Sequence, residues 1–142
     1  MEPKKAAFSF ESFKFNSFQF IEPETTEYDG LSLSINPSGV YTNSDRLFKL
    51  KLDFRAFIVN NEDIEVGHDV VKLTMQSSFL LSSEANEIPD FFYANSIAIV
   101  FPYLRSFLST LTMQANTKQI LLPLLNLTHL EAPLRENTVL LD

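Results

Sequence analysis

The chain has 142 residues, a formal net charge of −7, 14 phenylalanines, and neither cysteine nor tryptophan. That length suits one domain, residues 1–142. The acidic balance argues against a nucleic-acid surface, which needs clustered Lys and Arg, and the missing cysteine excludes disulfides and thiol catalysis.

The start, MEPKKAAFSF, lacks the apolar core of a secretion signal. The longest apolar runs, Ile97–Tyr103 and Ile120–Leu125, are too short to span a bilayer. A soluble cytoplasmic protein without membrane insertion is expected.

The first element is Phe8–Ile21, which opens with FSFESFKFNSFQF. Its rings at Phe8, Phe10, Phe13, Phe15, Phe18 and Phe20 come in pairs every five residues. That matches neither the strand period of two nor the helical 3.6. A β-bulge adds one residue and resets the parity. Bulges near Glu11-Ser12 and Asn16-Ser17 would turn all six rings to one face; a strand buried on both faces is the alternative.

The following connection carries turn signals at Asp29-Gly30, Asn36-Pro37 and Ser38-Gly39. Within it, LSLSI sets Leu31, Leu33 and Ile35 on one side of a short strand or extended crossing. Leu47–Val59 then alternates strictly, with Phe48, Leu50, Leu52, Phe54, Ala56 and Ile58 against Lys49, Lys51, Asp53 and Arg55. Val70–Leu81 alternates likewise, and the polar NNEDIEVGHD between them implies a long hairpin.

The C-terminal half changes period. From Asn95 to Ala115 apolar residues fall at helical spacing. Asn95 or Ser96 suits the N-cap, and Pro102 is expected to bend the helix or divide it. A second helix is expected over Leu125–Leu134, led by Pro123 and ended near Pro133. Strands first and helices after imply an α+β fold: a four-stranded antiparallel sheet with a long helix and a short C-terminal helix on one face.

Catalytic arrangements are scarce. His68 falls in the expected hairpin turn and His129 on the second helix, without the paired spacing of a zinc site. Gly30, Gly39 and Gly67 form no phosphate loop, and Glu62, Asp63, Glu65 and Asp69 lack the spacing of a calcium loop. No catalytic residue, metal or cofactor is assigned, and an enzyme is not expected. What the sequence holds in excess is apolar surface, the mark of a binder of polypeptides or of an obligate oligomer.

Ile99-Val100-Phe101-Pro102-Tyr103-Leu104-Arg105 resembles the ILFPYAR signature of the SecB export chaperones. Gln119-Ile120-Leu121-Leu122-Pro123 is similar to that family's Q-L-x-L-A-P turn, and Asn126-Leu127-Thr128-His129-Leu130 to its N-F-D-A-L. Phe8, Phe10, Phe13, Phe18, Phe20 and Pro23 fall at the offsets of its first strand. The resemblance implies an ATP-independent holdase that keeps unfolded or precursor polypeptides competent for export. It implies a homotetramer, a dimer of dimers meeting through Phe101, Tyr103, Leu104, Phe107, Leu108 and Leu111. It places clients in apolar grooves, with Tyr28, Leu31, Leu33 and Ile35 on one wall and Leu125, Leu127, Leu130 and Leu134 on the other.

The acidic pair with which the exporters meet the ATPase SecA corresponds here to Ser17 and Ile21. SecA therefore does not follow from the resemblance as the fold does. A SecB-like chaperone dedicated to one partner, such as an antitoxin of a toxin–antitoxin system, is the alternative expectation.

Overall fold

The computed structural model describes residues 7–23, 31–60, 63–82, 87–123 and 125–142, without the side chains of 59–68. Five strands form one sheet: β1 (Phe8–Phe20), β2 (Ser32–Thr42), β3 (Leu47–Asn60), β4 (Asp63–Leu81) and β5 (Thr138–Leu141). Their order is β1-β4-β3-β2-β5. The first three pairings are antiparallel, and β5 runs parallel to β2. The long helix α1 (Asp90–Gln114) and the short α2 (Glu131–Glu136), entered through a 3-10 turn at Thr128–Leu130, complete the α+β fold.

The sheet is thus five-stranded and mixed, where four antiparallel strands were expected. The added strand is TVLL, two β-branched residues followed by two leucines, without charge. It joins β2 from Gly39 onward, led in by a bond from the Gly39 N–H to the Asn137 carbonyl.

The strand rhythm has the predicted cause. The β1–β4 register shifts between Phe10 and Ser12 and between Phe15 and Ser17. Glu11 and Asn16 are the extra residues, and both turn to the polar face: Glu11 accepts a bond from Ser9 Oγ, and Asn16 donates to Gln76. All six phenylalanines then lie opposite the helix-facing residues of β4, from Leu81 opposite Phe8 to Val71 opposite Phe20.

Two turn signals were misleading. Asn36-Pro37 and Ser38-Gly39 lie inside β2. Pro37 precedes the point where β5 joins, so β2 is still an edge there and tolerates a residue without an N–H. Gly39 makes room: a Cβ at this position would collide with the ring of Phe48. The β3–β4 hairpin is longer than expected, and His68 is a strand residue paired with Ile58 rather than part of a turn.

The core lies between the sheet and the helices. Phe48, Phe54 and Phe79 rise from the sheet and Phe92, Ile97, Val100, Leu104 and Leu108 descend from α1, all fully or almost fully buried. α1 starts five residues before the expected Asn95, because Phe92 packs edge-on to Phe8, Phe48 and Phe79 and extends the buried stripe. Its N-cap is Pro89, which bonds through no side chain; Ser96 is buried inside the helix. The helix passes through exposed Pro102 as one segment. It ends in a Schellman arrangement, with Asn116 at φ 58° and the Asn116 and Thr117 N–H groups bonding the Met113 and Thr112 carbonyls. By length and composition α1 could cross a membrane; in this fold its apolar stripe is the cover of the sheet.

The expected second helix shrinks to the 3-10 turn and α2. Pro133 falls within the first turn of α2 instead of ending it. A proline is tolerated there because the first N–H groups of a helix have no intrahelical partner.

Candidate functional site

The helix-bearing face leaves two apolar regions partly open. The first joins β1 to α1. Phe15 stacks on Phe107 with ring centres 4.0 Å apart, and Phe18 meets the same ring edge-on at 5.3 Å. Tyr103 lies 4.4 Å from Phe13 and 5.7 Å from Phe10. Despite these contacts Phe18 keeps 54% of its surface exposed, and Phe13 and Tyr103 about 40% each.

Of the residues expected at an oligomer interface, Tyr103, Phe107 and Leu111 reach the surface of this region. Phe101, Leu104 and Leu108 do not. They point into the sheet and are buried within the protomer, so they have no surface to offer a partner. Helical spacing alone merges the two stripes, since positions i, i+3 and i+4 lie on one broad face.

The second region joins β2 to the C-terminal segment. Leu33 and Ile35 sit opposite Ala56 and Phe54 of β3, on the core-facing side. With Leu31 they remain half-buried, as do Leu125 and Leu127. The 3-10 turn and α2 both lie against β2. Leu130 and Leu134 are buried in the core and anchor the C-terminal wall rather than line it. Tyr28 lies outside the described residues.

Hydrogen bonds hold this C-terminal wall along α1. The Thr112 hydroxyl donates to the Leu108 carbonyl at 2.8 Å and accepts from the Ile120 N–H at 2.9 Å. Arg105 Nε donates to the Leu122 carbonyl at 2.6 Å, and Gln119 donates to Ser109 Oγ at 2.8 Å. The two sequence motifs centred on Phe101-Pro102 and on Gln119 are therefore one physical unit. Asn126 Oδ1 accepts from the Thr128 N–H and hydroxyl, which shapes the 3-10 turn.

α2 is pinned by Arg135. Its guanidinium bridges Asp90 and Glu131, each at 3.1 Å, and lies 4.5 Å from the centre of the Tyr93 ring. Burial raises the Tyr93 pKa above its ordinary value; Asp90 adds to the rise and Arg135 opposes it. None of these residues stood out in the sequence, because Arg135 meets Asp90, 45 positions away, only after folding.

Among the described residues no group of His, Cys, Asp or Glu gathers as a metal site, and every buried side-chain nitrogen or oxygen has a partner. Ser17 lies opposite Thr74 on the polar face, and Ile21 is exposed just beyond β1.

No family model matches the chain. It is 26% identical over 137 residues to an uncharacterized protein of Methanocaldococcus jannaschii, MJ0357, covering 94% of this chain and 88% of that protein. Among solved structures it superposes on the Mycobacterium tuberculosis Rv1957 SecB-like chaperone with a TM-score of 0.68. The fold is SecB-like. That match covers 84% of this chain and 91% of Rv1957 at 12% identity, and Rv1957 was solved in complex with a ChAD peptide from the Rv1956 HigA1 antitoxin. The resemblance in the motifs and the likeness in backbone thus point to the same fold.

Proposed function

We propose that this protein is a SecB-like, ATP-independent holdase that binds unfolded or precursor polypeptides and keeps them competent for export. The observation that supports this reading is the second apolar region, in which Leu31, Leu33 and Ile35 of one proposed wall and Leu125 and Leu127 of the other are all half-covered. Aliphatic side chains in this state bind by burial, which is non-directional and tolerant of sequence. Several such contacts along one client add up to useful affinity although each is weak. No reaction and no cofactor enter this mechanism. The first region, with Phe13, Phe18, Tyr103, Phe107 and Leu111, is assigned to contact between subunits in a cytoplasmic homotetramer.

A second reading, a chaperone dedicated to one antitoxin, is favoured by two observations. Rv1957, the structural neighbour, was solved holding an antitoxin peptide. The acidic pair expected for SecA contact is replaced by Ser17 and Ile21.

Suppression of aggregation of an unfolded test protein checks the groove. Leu33→Asp and Leu127→Asp are expected to weaken holding while the oligomer, followed by light scattering, stays intact. Wild-type suppression by both variants would remove the assignment. Chains captured with the protein from its native host separate the readings: many precursors support the export role, and one antitoxin supports the dedicated one.

A further inference from the structure

The opposite face of the sheet carries a charge pattern unlike that of the whole chain. The cross-strand register puts Lys14, Gln76 and Lys51 in one row and Gln19, Lys72 and Arg55 in another, with Lys49 beside Val40. Five cations, Lys14, Lys49, Lys51, Arg55 and Lys72, therefore share this face with three described anions, Glu11, Asp53 and Asp69. The chain as a whole has a net charge of −7.

The anions do not neutralise the band. Asp53 accepts from Thr74 and lies 3.7 Å from Lys51, and Asp69 is held by Arg55 at 2.6 Å. Glu11 bonds Ser9. Lys14, Lys49 and Lys72 form no ion pair among the described residues, and all three are exposed. Lys72 stands directly across from Arg55. Like charges in opposed positions weaken a sheet, so stability alone does not call for this pairing.

The band passes into an apolar corner on the same face. Leu80, Leu47, Thr42 and Leu141 form one cross-strand row, and Lys49, Val40 and Val139 belong to the next. Leu80, Val139 and Leu141 are each about half exposed. On this face exposed aliphatic side chains thus lie beside lysines that form no ion pair among the described residues. Together they match a ligand carrying negative charge and apolar side chains.

We propose that this polar face is a second binding surface, for an extended acidic segment of a partner protein with aliphatic anchors. Carboxylates would lie along Lys14, Lys49 and Lys72, with an apolar side chain on the Leu80–Leu141 corner. Charge complementarity selects this occupant. Another protein segment brings both acidity and aliphatic groups, whereas nucleic acid brings charge but no aliphatic anchor. The surface lies on the other side of the sheet from the proposed client groove, and the inference does not depend on that groove.

The test is fluorescence anisotropy of the full chain with a labelled peptide alternating glutamate pairs with single leucines. Each exposed lysine is expected to contribute a factor of about two to five in affinity, the range of surface ion pairs. The variant Lys14→Glu/Lys49→Glu/Lys72→Glu should therefore bind roughly tenfold or more weakly. Binding to the wild type should also fall steeply between about 50 and about 300 mM salt, as screened contacts do. Loss of binding in Leu33→Asp with none in the triple variant would place the peptide in the client groove and overturn the proposal. Lys72→Gln, which removes the opposed like charges, serves if the triple variant does not fold; it should bind weaker with no loss of thermal stability. The proposal is overturned by equal binding to the charge-reversed and wild-type proteins, or by none to the wild type. Tighter binding of an oligothymidylate than of the peptide would also overturn it, as would self-association that the charge reversal abolishes, since the occupant would then be a second copy.

Discussion

The two apolar regions of the helix-bearing face are built from different side chains and covered in different ways. Along β1, rings from the strand meet Tyr103 and Phe107 of α1, with Phe15 and Phe107 stacked at 4.0 Å. Along β2, the half-buried residues are aliphatic, Leu31, Leu33 and Ile35, and a 3-10 turn lies against the strand. Stacked aromatic pairs have preferred geometries and add about 0.5–1.5 kcal/mol beyond their buried area. Leucine and isoleucine contacts carry no such orientation. The first arrangement suits a fixed surface, and the second suits a surface that accepts many chains.

The sharpest way to break the contrast is to remove a ring. Phe15→Ala deletes the stack on Phe107 and should cost about 2–4 kcal/mol, somewhat below a fully buried phenylalanine. Urea denaturation measures it. A loss near that of an isolated surface residue would show that the β1 region is as loose as the β2 region.

Gly39→Ala acts on the other side. The new methyl group must displace the ring of Phe48, which is fully buried. Overpacking of this kind costs about 1–3 kcal/mol, and the melting temperature should fall accordingly. Retained stability would mean that β2 yields more readily than the packing of Phe48 implies.

Thr112→Val tests what holds the C-terminal wall. It keeps the volume and strands the buried Ile120 N–H, at a cost of about 1–2 kcal/mol. Hydrogen exchange should rise first at residues 117–122. Faster exchange spread evenly over α1 would mean that the wall is held by packing instead.

The smallest expected effect is a pH dependence. Burial raises the Tyr93 pKa above its ordinary 10.0, so the unfolded chain loses this proton first as pH rises. Its contribution to stability is complete below that value and is lost as pH climbs through the raised one. Tyr93→Phe should flatten the loss of stability above pH 10.0, read from denaturation midpoints across that range.

Much of this fold was legible from short-range pattern. Alternation located β3 and the C-terminal part of β4, and the five-residue spacing of the phenylalanines located both bulges, because each is set by neighbours along the chain. What was missed depends on contacts made after folding. Pro37 and Gly39 look like turn residues until β5 and Phe48 supply the reasons for them. TVLL is too short to announce a strand before the edge of β2 receives it. In the candidate site, Leu33 and Leu127 were readable as apolar positions. The difference between Leu127, half-open, and Leu130, buried, needed the docking of the 3-10 turn on β2.

Photo-crosslinking most directly tests the proposed division of labour between the two regions. A photoreactive residue is placed singly at Leu33, Leu127, Phe13 or Phe18, and the protein is irradiated with an unfolded client bound. The expected result is client adducts from Leu33 and Leu127, and adducts to a second copy of the chain from Phe13 and Phe18. Client adducts from Phe18 with none from Leu33 would contradict it, and would move the binding surface to the aromatic row of β1.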